Sequence, residues 1–235
     1  MASIDSAQPA PGAAADSYAH TERIGFAICM IVAPLIVLAA CIIHPPHGAE
    51  NPTEYYQAAH DHSDQFYASH TLFFLGGVVM LPAIIGLARL VQRSHPKQAF
   101  WGMLLSAMGM VAWGCLDGFD FMTYIAGSSS NLDSATMQQY IDDVDENSAV
   151  LIPVTAVFLL LLVGLCFLVA GLARAGIMRF WQALLLPLGV IGVLSFLEYP
   201  PLLIGSGLLL CASVGIVGVR QLRAPDDAVA EARPV

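Results

Sequence analysis

The sequence predicts an all-α, polytopic membrane protein with six transmembrane helices, and three observations lead there. The first is composition. Hydrophobic residues make up 57% of the 235 and charged residues only 11%, against roughly 25% charge in an average soluble domain. So few ionised groups cannot cover the surface of a soluble fold, and disordered chains show the opposite bias. The second is length. Six stretches approach the ~20 apolar residues that a bilayer core demands: Ile24–Ile43, His70–Leu90, Ala99–Phe119, Val150–Ala173, Phe180–Leu197 and Leu202–Val219. The third is charge placement. The nine Lys and Arg residues (Arg23, Arg89, Arg93, Lys97, Arg174, Arg179, Arg220, Arg223 and Arg233) all fall in alternate connections.

That alternation sets the orientation. Basic residues concentrate on the cytoplasmic side, so both termini, the 2–3 loop and the 4–5 loop are expected inside. The opposite side has no basic residue and holds twelve of the eighteen acids. The setting this implies is a bacterial inner membrane, and the partners are the lipid bilayer and other membrane subunits. Nine basic against eighteen acidic residues leave no footprint for nucleic acid.

In chain order, residues 1–22 are rich in Ala, Pro, Ser and Gly and read as a flexible cytoplasmic tail. A six-helix domain follows over 23–220, with outer loops at 44–69 and 120–148, and 221–235 form a C-terminal tail. The first span contains Leu38-Ala39-Ala40-Cys41, which looks like a lipoprotein cleavage box. The preceding segment is long for a signal peptide, so the span reads as retained. Pro34, Pro82, Pro153 and Pro187 lie inside spans, where they signal kinks rather than breaks.

In the first outer loop, His44-Pro45-Pro46-His47 makes a stiff extended turn. Asn51-Pro52-Thr53-Glu54 then starts a short helix, with Asn51 as cap. On that helix Tyr56, His60 and Asp64 are four apart and should share a face. In the second outer loop, Ser128-Ser129-Ser130-Asn131 reads as a turn. Residues 132–145 then place Met137, Tyr140, Ile141 and Val144 at helical spacing, as a surface helix would.

Spans 2–3 and 4–5 echo each other. Gly86-Leu87-Ala88-Arg89 followed by Phe100-Trp101 is matched by Gly171-Leu172-Ala173-Arg174 followed by Phe180-Trp181. Each unit is a helix going in, a basic turn, an aromatic anchor and a helix coming out. This predicts two parallel hairpins related by an axis along the membrane normal. Small residues at four-residue spacing predict close helix contacts, along Gly102, Ser106, Gly114 and Gly118 in the third span and Gly207, Cys211 and Gly215 in the sixth. The five cysteines lie in apolar spans without a CxxC. Only Cys41 and Cys115 share a membrane level from which a disulfide could form.

The candidate site lies on the outer face. Five of the seven histidines crowd there: His44, His47, His60, His62 and His70. Asp117 and Glu198 come sixteen and seventeen residues after Trp101 and Trp181, which at 1.5 Å per residue puts both about 24–26 Å above the inner anchors. Ionisable groups inside spans are costly and usually functional. His44, His70, Asp117 and Glu198 are therefore expected to converge at the outer boundary. Imidazole and carboxylate together suit a divalent metal, a proton path or a small polar ligand, and without such a partner the carboxylates should hold protons or face water. His47, His60, His62 and Asp120 are further metal-ligand candidates. No histidine lies mid-membrane, which argues against an axial haem pair. Asp143, Asp145 and Asn147 open like a calcium loop, but Ser148 and Val154 stand where its glycine and acid belong.

No nucleophile elbow, HExxH or phosphate loop occurs, so no catalytic residue is indicated and an enzyme is the less favoured class. The competing expectations are a binding protein with an outer-face site, a non-catalytic subunit of a larger inner-membrane assembly (a respiratory or other energy-transducing complex), and a small transporter.

Overall fold

The computed structural model describes residues 11–46, 52–129, 133–146 and 148–224. Those residues form helices joined by short turns, without strands. The order is α1 (Pro11–Ile43), α2 (Pro52–Asp61), α3 (Ser63–Gln92), α4 (Pro96–Ser128), α5 (Ser134–Glu146), α6 (Ser148–Arg174), α7 (Phe180–Ser195), α8 (Pro200–Leu210), a π turn (Cys211–Gly215) and α9 (Ile216–Arg223).

Five helical stretches are long and apolar enough to cross a membrane: Tyr18–Ile43, Ser63–Gln92, Pro96–Ser128, Thr155–Arg174 and Pro200–Arg223. They mark the chain as a membrane protein. The sixth expected span, α7, is apolar but has only 16 residues, about 24 Å of helix. Its early stop has a local cause. The chain breaks at Phe196, turns through Leu197-Glu198 and restarts at Pro200, and proline is well suited to a first helical turn.

Each long helix buries one stripe. In α1 it is Ala27, Met30, Ala33, Val37 and Ala40; in α6 it is Phe158, Leu161, Leu165, Leu168 and Leu172. These three- and four-residue steps are the period of one helix face. The other faces keep their apolar residues exposed, among them Val111, Ile152, Leu188 and Leu202. In water such a surface would aggregate; in lipid it is the solvated side.

The contacts correct the expected glycine seams. In α4 the close approach to α6 uses Gly102, Ser106 and Gly109. A Cβ on Gly102 would meet Leu168, one on Gly109 would meet the Leu161 backbone, and one on the facing Gly164 would meet Ser106. Gly114 and Gly118, expected in that seam, face almost nothing. In the last span Gly207 lies against Leu38, while Gly215 is open and Gly218, three turns further on, sits against the Ala27 carbonyl. The helix is widened between them by the π turn, into which the buried Gln182 of α7 reaches to donate to the Ala212 carbonyl at 3.3 Å. π turns loosen the backbone ladder and free such carbonyls.

Other expectations shift too. α1 starts at Pro11, inside the expected tail. α4 runs to Ser128, nine residues past the expected end at Phe119, so Ser128 is helical rather than a turn. The short helix after the Pro-Pro turn forms as α2, but it ends at Asp61. Asp64 therefore belongs to α3, and only Tyr56 and His60 share the face. The surface helix of the second loop is α5. The five cysteines are free, with Cys41 buried and Cys115 exposed, so they are not bridged.

The two ends of the molecule differ. At the basic end Arg23 donates to the Ala224 carbonyl at 2.7 Å, tying α1 to the end of α9. Beside it, Arg89 pairs with Glu22 and lies over the Phe26 ring at 5.2 Å. The other end carries α2 and the polar cluster.

Candidate functional site

His70 is the centre of the cluster. It lies 2% exposed in the second turn of α3. Phe66, one turn earlier, holds it in two ways: its ring stacks on the imidazole at 4.1 Å and its carbonyl receives a hydrogen bond from Nδ1 at 2.8 Å. Ser69 Oγ, 3.3 Å from the same nitrogen, donates to the same carbonyl. A carbonyl oxygen can only accept, so Nδ1 carries the hydrogen and Nε2 points outward to its partners.

Those partners come from other elements. α2 brings Tyr55, whose hydroxyl is 2.9 Å from His70 Nε2 and donates to Asp120 Oδ1 at 2.5 Å. α4 brings Asp120, whose Oδ2 lies 3.7 Å from His70 Nε2. α1 brings His44, its ring 5.2 Å from that of His70 and 6.0 Å from Phe73. Asp117 sits one turn below Asp120 on α4, 4% exposed, with Oδ2 free of hydrogen bonds. Phe73 and Trp113, 6.4 Å apart, wall the cluster toward the bundle. The arrangement exists because α2 lies on α4. Gly127 allows this, since a Cβ there would come within 3.0 Å of the backbone at Ala59 and His60. Tyr56 and His60 fix the contact, with His60 Nδ1 donating to the Gly127 carbonyl at 2.8 Å and the Tyr56 hydroxyl reaching Ala126 at 3.5 Å.

Of the eight expected residues, His70 and Asp120 interact directly, and His44 joins them by ring contact. Asp117 is buried on the same α4 segment. His60 and His62 are exposed; His60 serves helix packing and His62 precedes α3. Glu198 is half-exposed in the α7–α8 turn, and no hydrogen bond or ion pair joins it to the histidines among the described residues. His47 lies outside the described residues. Among those residues no three His, Cys, Asp or Glu side chains gather as a metal ion would require, so the geometry lends no support to a metal centre. Tyr55 is the member of the cluster that sequence reasoning missed. A signal existed: on a helix starting at Pro52, Tyr55 shares a face with Ala58 and Ala59, a small-residue face suited to lying on another helix.

The chain matches no family model, no curated protein and no solved structure.

Proposed function

We propose that this is a six-crossing protein of a bacterial inner membrane, with both termini cytoplasmic, whose opposite face receives a small cation at the His70 cluster. The observation that carries the binding reading is the company His70 keeps. Three side chains at least nine-tenths buried (His44, His70 and Asp117) stand with Tyr55 and Asp120 inside aromatic walls. Neither 24–88 nor 98–173 contains a Lys or Arg. Carboxylates, imidazoles and aromatic faces all attract positive charge, and a desolvated carboxylate needs a positive or hydrogen-bonding partner.

Six crossings are supported by the Arg23 contact with Ala224. It brings the start of the first span and the end of the last to one face, which requires an even number of crossings; five long helices then need α7 as the sixth. The exposed pairs Phe100-Trp101 and Phe180-Trp181 suit interfacial anchors of two parallel hairpins.

Binding is tested on the full chain in lipid nanodiscs by calorimetry with methylammonium and, separately, Zn²⁺. Saturable methylammonium binding, weakened at least about tenfold in Asp117→Asn, is the expected result, about 1.4 kcal/mol. No saturation by either probe overturns the reading, and tight Zn²⁺ binding alone would replace it with a metal site.

A second reading, that of a non-catalytic subunit, is favoured by Gly114 and Gly118. Their open four-residue step on α4 lies among exposed apolar residues, a surface on which another helix could pack closely. Purification in mild detergent, followed by a search for stoichiometric partners, tests it.

A further inference from the structure

We propose that Asp120, Tyr55 and His70 form a proton relay, so that the cation taken up at this site is the proton itself. The inference rests on the binding reading above and names its ligand.

The argument is a count of hydrogens. The bond from His70 Nδ1 to the Phe66 carbonyl uses one hydrogen that only the imidazole can supply. The Tyr55 oxygen then makes two bonds, at 2.5 Å to Asp120 and 2.9 Å to His70 Nε2. Two bonds need two hydrogens, and the hydroxyl has one. With Tyr55 donating to Asp120, the second hydrogen comes from His70 Nε2; in the alternative proton state a protonated Asp120 donates to Tyr55, and Tyr55 donates to Nε2. The three groups therefore hold one proton beyond those of an ionised carboxylate, a tyrosine and a neutral imidazole.

That proton has two resting places joined by one concerted step. With Asp120 as the acid, its O–H bond breaks as a new bond forms to the Tyr55 oxygen, while the Tyr55 O–H bond breaks as its hydrogen bonds to Nε2. The products are a carboxylate, an intact tyrosine and an imidazolium. No electron is transferred, and no other reactant is needed. Asp120 is 26% exposed by side chain and His70 3%, so the relay runs from a water-accessible carboxyl to a shielded ring. A 2.5 Å bond is at the short end for O–H donation to a carboxylate, which favours transfer along it.

His44 faces the relay from α1 and Asp117 lies below Asp120 on α4. α5, which packs on α2 and α4, carries Asp142 and Asp143, while α6 has no acid or histidine. None of these elements offers a Lys or Arg there.

The test uses the full chain in nanodiscs, with ¹⁵N-labelled histidine followed by NMR and the carboxyl C=O stretch followed by infrared spectroscopy in D₂O across pH. His70→Gln and Asp120→Asn assign the two signals. In the wild type the His70 Nε2 signal and the Asp120 band should change together, in one step. In Tyr55→Phe, which keeps the ring and removes the bridge, the two should separate and the His70 midpoint should move by about one unit, a tenfold change in proton affinity. Independent midpoints in the wild type, or unchanged midpoints in Tyr55→Phe, overturn the relay. If Tyr55→Phe does not fold, the wild-type titration decides alone: a single coupled step of the His70 and Asp120 signals supports the relay, and independent steps overturn it. Methylammonium titration of the same samples separates the two readings. An absent relay with intact methylammonium binding removes this inference alone, and a coupled step without methylammonium binding removes only the wider cation site.

Discussion

Gly109 and Gly118 lie on the same helix, nine residues apart, and have opposite environments. A methyl group on Gly109 would strike the Leu161 backbone, which cannot move away without moving α6; one on Gly118 meets nothing within 4 Å. Overpacking of this kind typically costs about 1–3 kcal/mol. Gly109→Ala should therefore lower the thermal midpoint clearly, while Gly118→Ala should match the wild type or gain slightly from helix propensity. Equal midpoints for the two variants would show that the α4–α6 contact is not as close as described. Asp133 makes a second case at this scale. It caps α5, its Oδ2 accepting from the Thr136 amide at 2.9 Å and the Thr136 hydroxyl at 2.6 Å. Those two bonds favour the ionised form and hold its carboxyl below the ordinary aspartate value of 3.8. A depressed carboxyl contributes stability that is whole above the ordinary value and is lost as pH falls through the lowered one. The Thr136 amide should thus be protected from exchange relative to its intrinsic rate at neutral pH, lose that protection only below the usual aspartate range, and lack it throughout in Asp133→Ala.

At the scale of elements, what the sequence made legible was what depends on local chemistry. The Pro52 start of α2, the existence of α5 and the buried stripes of α1 and α6 follow from caps and three- and four-residue periods, which neighbouring residues set among themselves. What it did not make legible depends on which face meets which. The small-residue stripe of α4 reads as one seam in the sequence, yet α6 touches only its first half and adds Gly109 from outside it. α4 continues to Ser128 because α2 lies along its extension, a tertiary contact without a local signature. The site divides in the same way. The histidines and carboxylates stood out by charge in an apolar sequence, whereas Tyr55 was hidden because its role exists only once α2 is laid on α4. The Arg23 contact with the end of α9 also joins elements far apart in sequence. Arg23→Ala should speed amide exchange over Gln221–Ala224 while leaving α3 and α4 unchanged. Faster exchange throughout the bundle would mean instead that Arg23 supports the whole fold.

For the whole molecule, the decisive issue is whether α7 crosses. Its 16 residues span about 24 Å, short of a hydrocarbon core of about 30 Å, and a short span is accommodated by local thinning of the bilayer at modest cost. The alternative is costlier. If α7 lay within one leaflet, five crossings would put the N-terminus and the last helix end on opposite sides, and Arg23 could not reach the Ala224 carbonyl at 2.7 Å. Arg174, Arg179, Arg220 and Arg223 would also be divided between the two faces, against the charge bias that governs insertion. With six crossings every basic residue among the described residues falls on one side, and α2, α5 and the His70 cluster share the other. In a cysteine-free background, Glu54→Cys on α2 should react with a membrane-impermeant maleimide in intact cells. Arg93→Cys and Ala175→Cys should react only after the membrane is opened, and alkaline phosphatase fused after Val235 should be inactive. Labelling of Ala175→Cys in intact cells, or an active phosphatase fusion, would put the α6–α7 turn or the C-terminus outside. The even number of crossings would then be wrong, and the contact between Arg23 and the end of α9 could not exist in the membrane-inserted protein.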